Sequence, residues 1–355
     1  MRRCTCDKVD KCRLCWLYHN DPRYKKLWGR GQPARPVRAP CAHEGDIVSW
    51  CPAGNVNAHR HRCLCDESNF DTCTRGAECK NCEHYAAPRP ETRHLLYHIL
   101  PIAGNGMWQW NLEQLKPRLH LFNGSRTCAI MTPSKIAYRA KGPRPDAARM
   151  PMVIEGPEVV EKALAGLDFT FIHLPNDPNL REVLSHGPLF EVASKYTSPV
   201  DATLWCHAKG TTRRPGHVAK QWTEICYEAY LDYWPVVEEL LTKYPLAGCF
   251  KKYGRGWNPK QSNSDWHYSG SWFWFKNREL FSKNWRKIDQ FWSGIEPYPS
   301  QHFHHTEAGL IFHEGKVPAI NLYSGAYWNN TVLPEWEAWK REHESHRTRL
   351  SLATL

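Results

Sequence analysis

From Arg93 onward the apolar and polar positions switch between two periods, and each switch marks an element. Residues 94–102 (HLLYHILPI) have the length and apolar content of a buried strand, and Ala103-Gly104-Asn105-Gly106 breaks it. A helix is expected next: Leu112, Leu115, Leu119 and Phe122 recur at helical spacing, Asn111 stands where a cap would, and Gln114 takes the reciprocal capping position. Asn123-Gly124 ends it, and residues 125–131 read as a second strand. The alternation continues with a helix over 157–164, a strand over 167–174, a helical stretch over 180–193 and a strand that ends at His207. Strand, glycine turn, helix, strand is the opening of an α/β nucleotide-binding fold.

The second half is richer in aromatics. A long helix is expected over 218–241, its Trp222, Tyr227, Tyr230, Tyr233 and Trp234 packing into the core, and another strand over 247–250. Residues 254–264 form a polar, basic loop of lid-like composition. The run 266–275 (WHYSGSWFWF) reads as one strand, with Trp272 and Trp274 on one face, Phe273 and Phe275 on the other, and both faces in need of cover. Ser269-Gly270 in its middle admits either a closely approaching ligand or a bulge in a core strand. A helix is expected over 277–291, a rigid loop bearing Glu296 over 294–299, and a charged, exposed helix over 335–349.

Residues 1–90 show almost no apolar periodicity and cannot build an oily core. Of the 15 cysteines, 11 fall in this segment. Cys4-x-Cys6 with Cys12-x2-Cys15 makes one four-thiolate set, since the short spacing lets two thiolates of one turn reach a tetrahedral Zn²⁺. A proline-rich linker over 30–40 separates it from Cys41, Cys51, Cys63, Cys65, Cys73, Cys79 and Cys82, with His43, His59 and His61 as further ligand candidates. Cys79-x2-Cys82 is the best pair of this second group, with Cys63 or Cys65 its complement. Structural zinc, about two ions, is expected to supply the folding free energy that the missing core does not.

Length and composition narrow the function only broadly. A chain of 355 residues with Trp 17, Tyr 15 and Phe 12 can bury a large core, and 23% charged residues is ordinary for a globular protein. The net charge of +11 suits an acidic partner: nucleic acid, an anionic surface or a phosphorylated small molecule. No run of about 18 apolar residues and no apolar stretch after the basic N-terminus suggest a membrane span or a secretory leader, so a cytoplasmic location is expected.

The stretch Leu204 to Gly210 (LWCHAKG) is where the chemistry is expected. It runs as a buried strand into a glycine turn, and His207 and Lys209, two apart, share one side of an extended segment facing the crevice at the carboxyl ends of the strands. Arg213 and Arg214 follow in the turn. The plain alternative is that His207 and Lys209 are ordinary polar residues at a strand end.

Residues 93–323 resemble a family of bacterial and phage glycosyltransferases assigned from sequence. The matching motifs are His98-x-Leu100-Pro101-Ile102-x-Gly104-Asn105, Trp110-Asn111-Leu112-Glu113-Gln114-Leu115, Phe122-Asn123-Gly124, His207-Ala208-Lys209-Gly210, Trp266-His267-Tyr268-Ser269-Gly270 with Phe273-Trp274-Phe275, and Glu296-x-Tyr298-Pro299, in the family's order. A more distant likeness is to rhamnan-synthesis type glycosyltransferases, which have a similar His-x-Lys element and a following helix with an early Trp, here Trp222. The Cys-rich leader is also similar to the former family. The resemblance implies an α/β, GT-A-like nucleotide-sugar-binding domain over 91–334, preceded by a small zinc-ribbon-like module over 1–90 and followed by a charged helical segment over 335–355. It implies a nucleotide-sugar donor and a glycan or other acceptor. Gly104 and Asn105 would lie by the nucleoside, His207, Lys209 and Arg213 by the diphosphate, and His267, Ser269, Gly270 and Glu296 on the acceptor side. No Asp-x-Asp occurs in the chain, so whether a catalytic divalent metal takes part stays open, and positive charge from Lys209 is the expected substitute. Two competing readings are a zinc-dependent nucleic-acid-binding protein and an inactive sugar-binding module. Binding carried by residues 1–90 alone and falling steeply with salt would favour the first.

Overall fold

The computed structural model describes residues 89–104, 106–134, 153–213, 217–253, 264–316 and 322–347, together with the two-residue strands Ile47–Val48 and His61–Arg62, which pair antiparallel. The chain divides into two compact units, Met1–Ala87 and Pro88–Leu355. The expected metal ligands Cys4, Cys6, Cys12, Cys15, Cys41, Cys51, Cys63, Cys65, Cys73, Cys79 and Cys82 lie outside the described residues, as do Asn105, Arg214 and the basic loop over 254–263.

The second unit is α/β, built on a seven-stranded sheet. Its strands in chain order are β1 (Thr92–Ile99), β2 (Arg126–Thr132), β3 (Thr170–Pro175), β4 (Asp201–His207), β5 (Leu246–Gly248), β8 (Phe273–Lys276) and β9 (Ala308–Leu310). A smaller three-stranded sheet holds β6 (Lys251–Tyr253), β7 (Trp266–Tyr268) and β10 (Glu314–Lys316). The large sheet runs β9-β5-β8-β4-β1-β2-β3, and within it β8 alone is antiparallel to its neighbours. β4 is buried along its whole length and β1 over its last six residues, as expected of strands covered on both faces. β3, at the edge, is buried at none of its positions. The chain steps outward from β1 to β2 to β3, then returns to the other side of β1 as β4. The carboxyl ends of β1 and β4 therefore flank the point where the strand order reverses, which is where a crevice opens in such sheets.

Two cores cover the two faces. On one, Leu95, Tyr97, Cys206 and Trp274 pack with α1 (Met107–Leu115), α2 (Pro157–Ala163), α4 (Ala219–Tyr227), α5 (Trp234–Lys243) and α8 (Leu333–Glu342). On the other, Leu96, Trp205, Phe273 and Phe275 meet Leu189 and Phe190 of α3 (Val183–Ala193) and Tyr298 of α7 (Tyr298–His302). The expected split of the aromatic run, Trp272 and Trp274 to one side and Phe273 and Phe275 to the other, is therefore what the sheet uses. The run itself is not one strand. It turns at Ser269-Gly270-Ser271, where Gly270 has φ +95 and Ser271 φ +62, so that β7 and β8 serve different sheets.

Other boundaries also moved for identifiable reasons. Asn111 does not cap a helix. Gly106, in the left-handed region, starts α1 earlier and leaves Asn111 buried inside, where Nδ2 donates to Met107 O at 2.7 Å and Lys209 O at 3.0 Å, and Oδ1 accepts from Tyr227 Oη at 3.2 Å. The stretch 218–241 is not one helix: a π turn over Glu228–Asp232 separates α4 from α5. That turn buries Asp232, which receives two hydrogen bonds from the Arg118 guanidinium at 2.6 and 2.7 Å. The helix expected over 277–291 is confined to α6 (Asn277–Phe281). The C-terminal helix is charged but docked, with Trp336 only 3% exposed in the first core.

Candidate functional site

His98 closes the path of β1 and His207 ends β4, and the two are paired in register with ring centroids 6.5 Å apart. The Ser185 hydroxyl donates to Glu182 O at 2.9 Å, so its oxygen accepts from His98 Nδ1–H at 2.8 Å, and this assigns the tautomer. Burial pushes the His98 imidazole down to about 4 against the opposing pull of Glu182, and His207 adds to the depression. His98 is therefore a neutral group at pH 7.

His207 is 6% exposed and has acceptors on both sides. Nε2 lies 3.0 Å from Gly270 O, which can only accept, and Nδ1 lies 3.1 Å from Glu182 Oε1. Burial alone would raise the Glu182 carboxyl, but the His207 hydrogen bond and charge, aided by His98 and Arg181, hold it well below the usual carboxylate range. On the far side of Gly270 its N–H donates to Glu296 Oε1 at 3.0 Å. One glycine peptide thus links His207 to Glu296. A side chain there would be strained: a Cβ on Gly270 would stand 3.0 Å from the Trp222 ring, at a φ that favours glycine.

Lys209 is not the solvated strand-end residue that its position suggests. It is half-buried, its Nζ lies 3.9 Å from the Trp222 ring centroid, and its carbonyl is held by Asn111. Burial lowers the Lys209 ammonium, Glu296 opposes this most strongly, and Arg213 lowers it further. The same pattern appears at Lys252 and His267, where burial lowers each and Glu296 counters. The Arg213 guanidinium lies 5.2 Å from the Tyr323 ring centroid. Three cations, Lys209, Lys252 and Arg213, thus share a neighbourhood with the carboxylate of Glu296.

Of the residues singled out from sequence, His207, Lys209, Arg213, His267, Gly270 and Glu296 converge on this cluster, and buried Ser269 sits in the same turn with its N–H on Phe250 O at 3.0 Å. Gly104 (φ +85) lies in the turn after β1 with open space around it and outside the lining of the cleft. Glu307 caps a short turn, accepting from His304 N–H at 2.9 Å. Sequence reasoning missed Asn176, Arg181, Glu182, Lys252 and Tyr323. Asn176, Arg181 and Glu182 follow the carboxyl end of β3 and, with His98, His207 and Thr211, line a cleft of about 430 Å³ including its open mouth. The rule that crevices form at strand carboxyl ends was the signal that could have found them. Among the described residues, no group of three or more His, Cys, Asp or Glu is placed to hold a metal ion, and no helix is long and apolar enough to cross a membrane.

His186, beneath the site on α3, is 1% exposed among Phe190 and Tyr298, with ring centroids at 4.1 and 4.5 Å, and its Nε2 has no partner. Burial pushes it down to about 3 from the ordinary 6.5, and His302 adds to this. Between those values the unfolded chain binds more protons than the folded one, so stability falls as pH falls through this window. By about pH 4.5 the loss from His186 alone should reach about 2–3 kcal/mol. Thermal melts are expected to show a smaller drop between neutral and mildly acid pH in His186→Phe than in the wild type. An equal drop in both would assign the acid sensitivity elsewhere.

No protein-family model matches the chain, and no curated protein does. A crystal structure from Desulfovibrio desulfuricans G20, described as a "putative nucleotide-diphospho-sugar transferase", is similar over 72% of this chain and 96% of that chain, at 11% identity and a TM-score of 0.32.

Proposed function

We propose that this chain is a glycosyltransferase that moves a sugar from a nucleotide-activated donor to an acceptor hydroxyl. The observation that carries the reading is the cluster at the carboxyl end of β4: Lys209, Lys252 and Arg213 around Glu296, beside a cleft at the point where the strand order reverses. More cations than carboxylates at such a point suit a diphosphate, whose charge grows as the sugar–oxygen bond breaks. In this reading Lys209 and Arg213 meet that charge: the Trp222 ring holds Lys209 without using its N–H donors, and Tyr323 supports Arg213 through its ring and a side-chain hydrogen bond. Glu296, oriented by the Gly270 N–H, takes the proton of the acceptor hydroxyl as the new bond forms. His207, held by Glu182, fixes the Gly270 peptide from its other side.

The test is a thermal-shift screen of nucleotide sugars followed by titration of Lys209 variants. Lys209→Met keeps the aliphatic stem against Trp222 and removes the charge. It should weaken nucleoside-diphosphate binding by about tenfold or more, the scale of a charge-assisted hydrogen bond, and leave the fold intact. Lys209→Ala should also lose packing on the ring and with it about 1 kcal/mol of stability. A wild type that no nucleotide sugar stabilises, or a Lys209→Met variant that binds as the wild type does, would count against the reading.

A further inference from the structure

We propose that Asn176 and Arg181 form a receiving pair for an oxyanion, a phosphate or carboxylate group, in the cleft that His98 and His207 line. Asn176 follows β3 and is 2% exposed. Its backbone is fixed from both sides: its N–H donates to Thr132 O at 3.1 Å, and its carbonyl accepts from Ser134 Oγ at 2.9 Å. Its side-chain Nδ2, by contrast, is buried without a hydrogen-bond partner, although the residue lines the cleft. An unpaired buried amide donor destabilises the fold, so retaining one at a cleft wall points to an acceptor that arrives from outside.

Arg181, five residues on, repeats the pattern. Its Nε is buried and unpartnered, and its guanidinium lies 4.9 Å from the Trp292 ring centroid, a contact that immobilises the plane without consuming an N–H. The backbone there has φ +50, a conformation a non-glycine residue rarely adopts, and it is tied by the Arg181 N–H to Asp177 O at 2.8 Å. The adjacent carboxylate, Glu182, faces His207 Nδ1 at 3.1 Å and is engaged there. An amide NH₂ and a guanidinium N–H are both donors, so the group that satisfies them together has two or more acceptor oxygens and no proton to offer. The transferase reading bears only on what carries this oxyanion: the phosphate of a sugar nucleotide, or the carboxylate of an acidic sugar.

The experiment is isothermal titration of the full chain with inorganic pyrophosphate and, separately, with glucuronate, in the wild type, Asn176→Leu, Arg181→Gln and Arg286→Gln. Arg286 is an exposed guanidinium already paired with Glu191 at 2.6 Å and serves as the control. Pyrophosphate binding is expected if the source is a phosphate, glucuronate binding if it is a sugar carboxylate. Asn176→Leu and Arg181→Gln should each weaken it by about tenfold or more, with Arg286→Gln unchanged. Asn176→Leu should melt at or above the wild-type temperature, because it removes an unpaired buried donor, and a merely structural asparagine would not behave so. A wild type that binds neither anion, or variants that bind as the wild type does, overturns the proposal. If the pair binds an oxyanion while no nucleotide sugar binds, the oxyanion site stands and the transferase reading falls. If both variants turn over a nucleotide sugar as the wild type does, the reverse holds.

Discussion

Glu296→Gln is expected to cut turnover by about 10²-fold or more while donor binding stays intact. The amide keeps an oxygen that can accept from the Gly270 N–H at the distance where Glu296 Oε1 now sits, 3.0 Å, so the loop geometry is preserved. What is lost is the basicity of the carboxylate and the negative charge that Lys209, Lys252 and His267 share. A base that removes the acceptor proton as the glycosidic bond forms acts in the transition state, so the loss belongs in kcat and not in donor affinity. Steady-state kinetics on a genuine acceptor with separate donor titration would decide it. Turnover within a few-fold of wild type would remove Glu296 from the role of base.

Gly270→Ala is expected to disable the site more completely, through geometry and not through chemistry. The residue has φ +95, and its peptide is shared: the carbonyl accepts from His207 and the N–H donates to Glu296. An added methyl would lie 3.0–3.2 Å from three atoms of Trp222, whose opposite role is to carry the Lys209 ammonium. Strain at such a φ costs about 1–3 kcal/mol, and relief would come by rotating the peptide or displacing the ring. Either movement breaks the link between His207, Glu296 and Lys209. Activity and nucleoside-diphosphate binding should fall together, with thermal stability lowered by a comparable few kcal/mol. A variant that melts lower yet binds and turns over normally would show that the shared peptide is structural only.

Much of the α/β core could be read from one dimension because its causes are local. Continuous apolar runs bounded by Gly and Asn announced β1, β2 and β4, and the alternation of Trp272 to Phe275 assigned its rings to opposite faces of the sheet before any partner strand was known. His207 and Lys209 at a strand end, Gly270 inside an aromatic run and Glu296 in a rigid loop could be singled out as candidates because each rests on a local signal. Tertiary structure decided the rest. The reversal at Gly270 depends on β7 and β8 belonging to different sheets, a choice made by long-range pairing and not by the run's own alternation. Asn111 turned from cap to buried linker because Tyr227 and the Lys209 carbonyl, 116 and 98 residues away, supply its partners. Asn176, Arg181 and Glu182 carry no local signature: their unpaired donors and the Glu182–His207 contact exist only once β3 and β4 have been laid on either side of β1 and β2. Secondary structure follows from patterns a few residues wide, whereas hydrogen-bond satisfaction and charge neighbourhoods are properties of the packed chain.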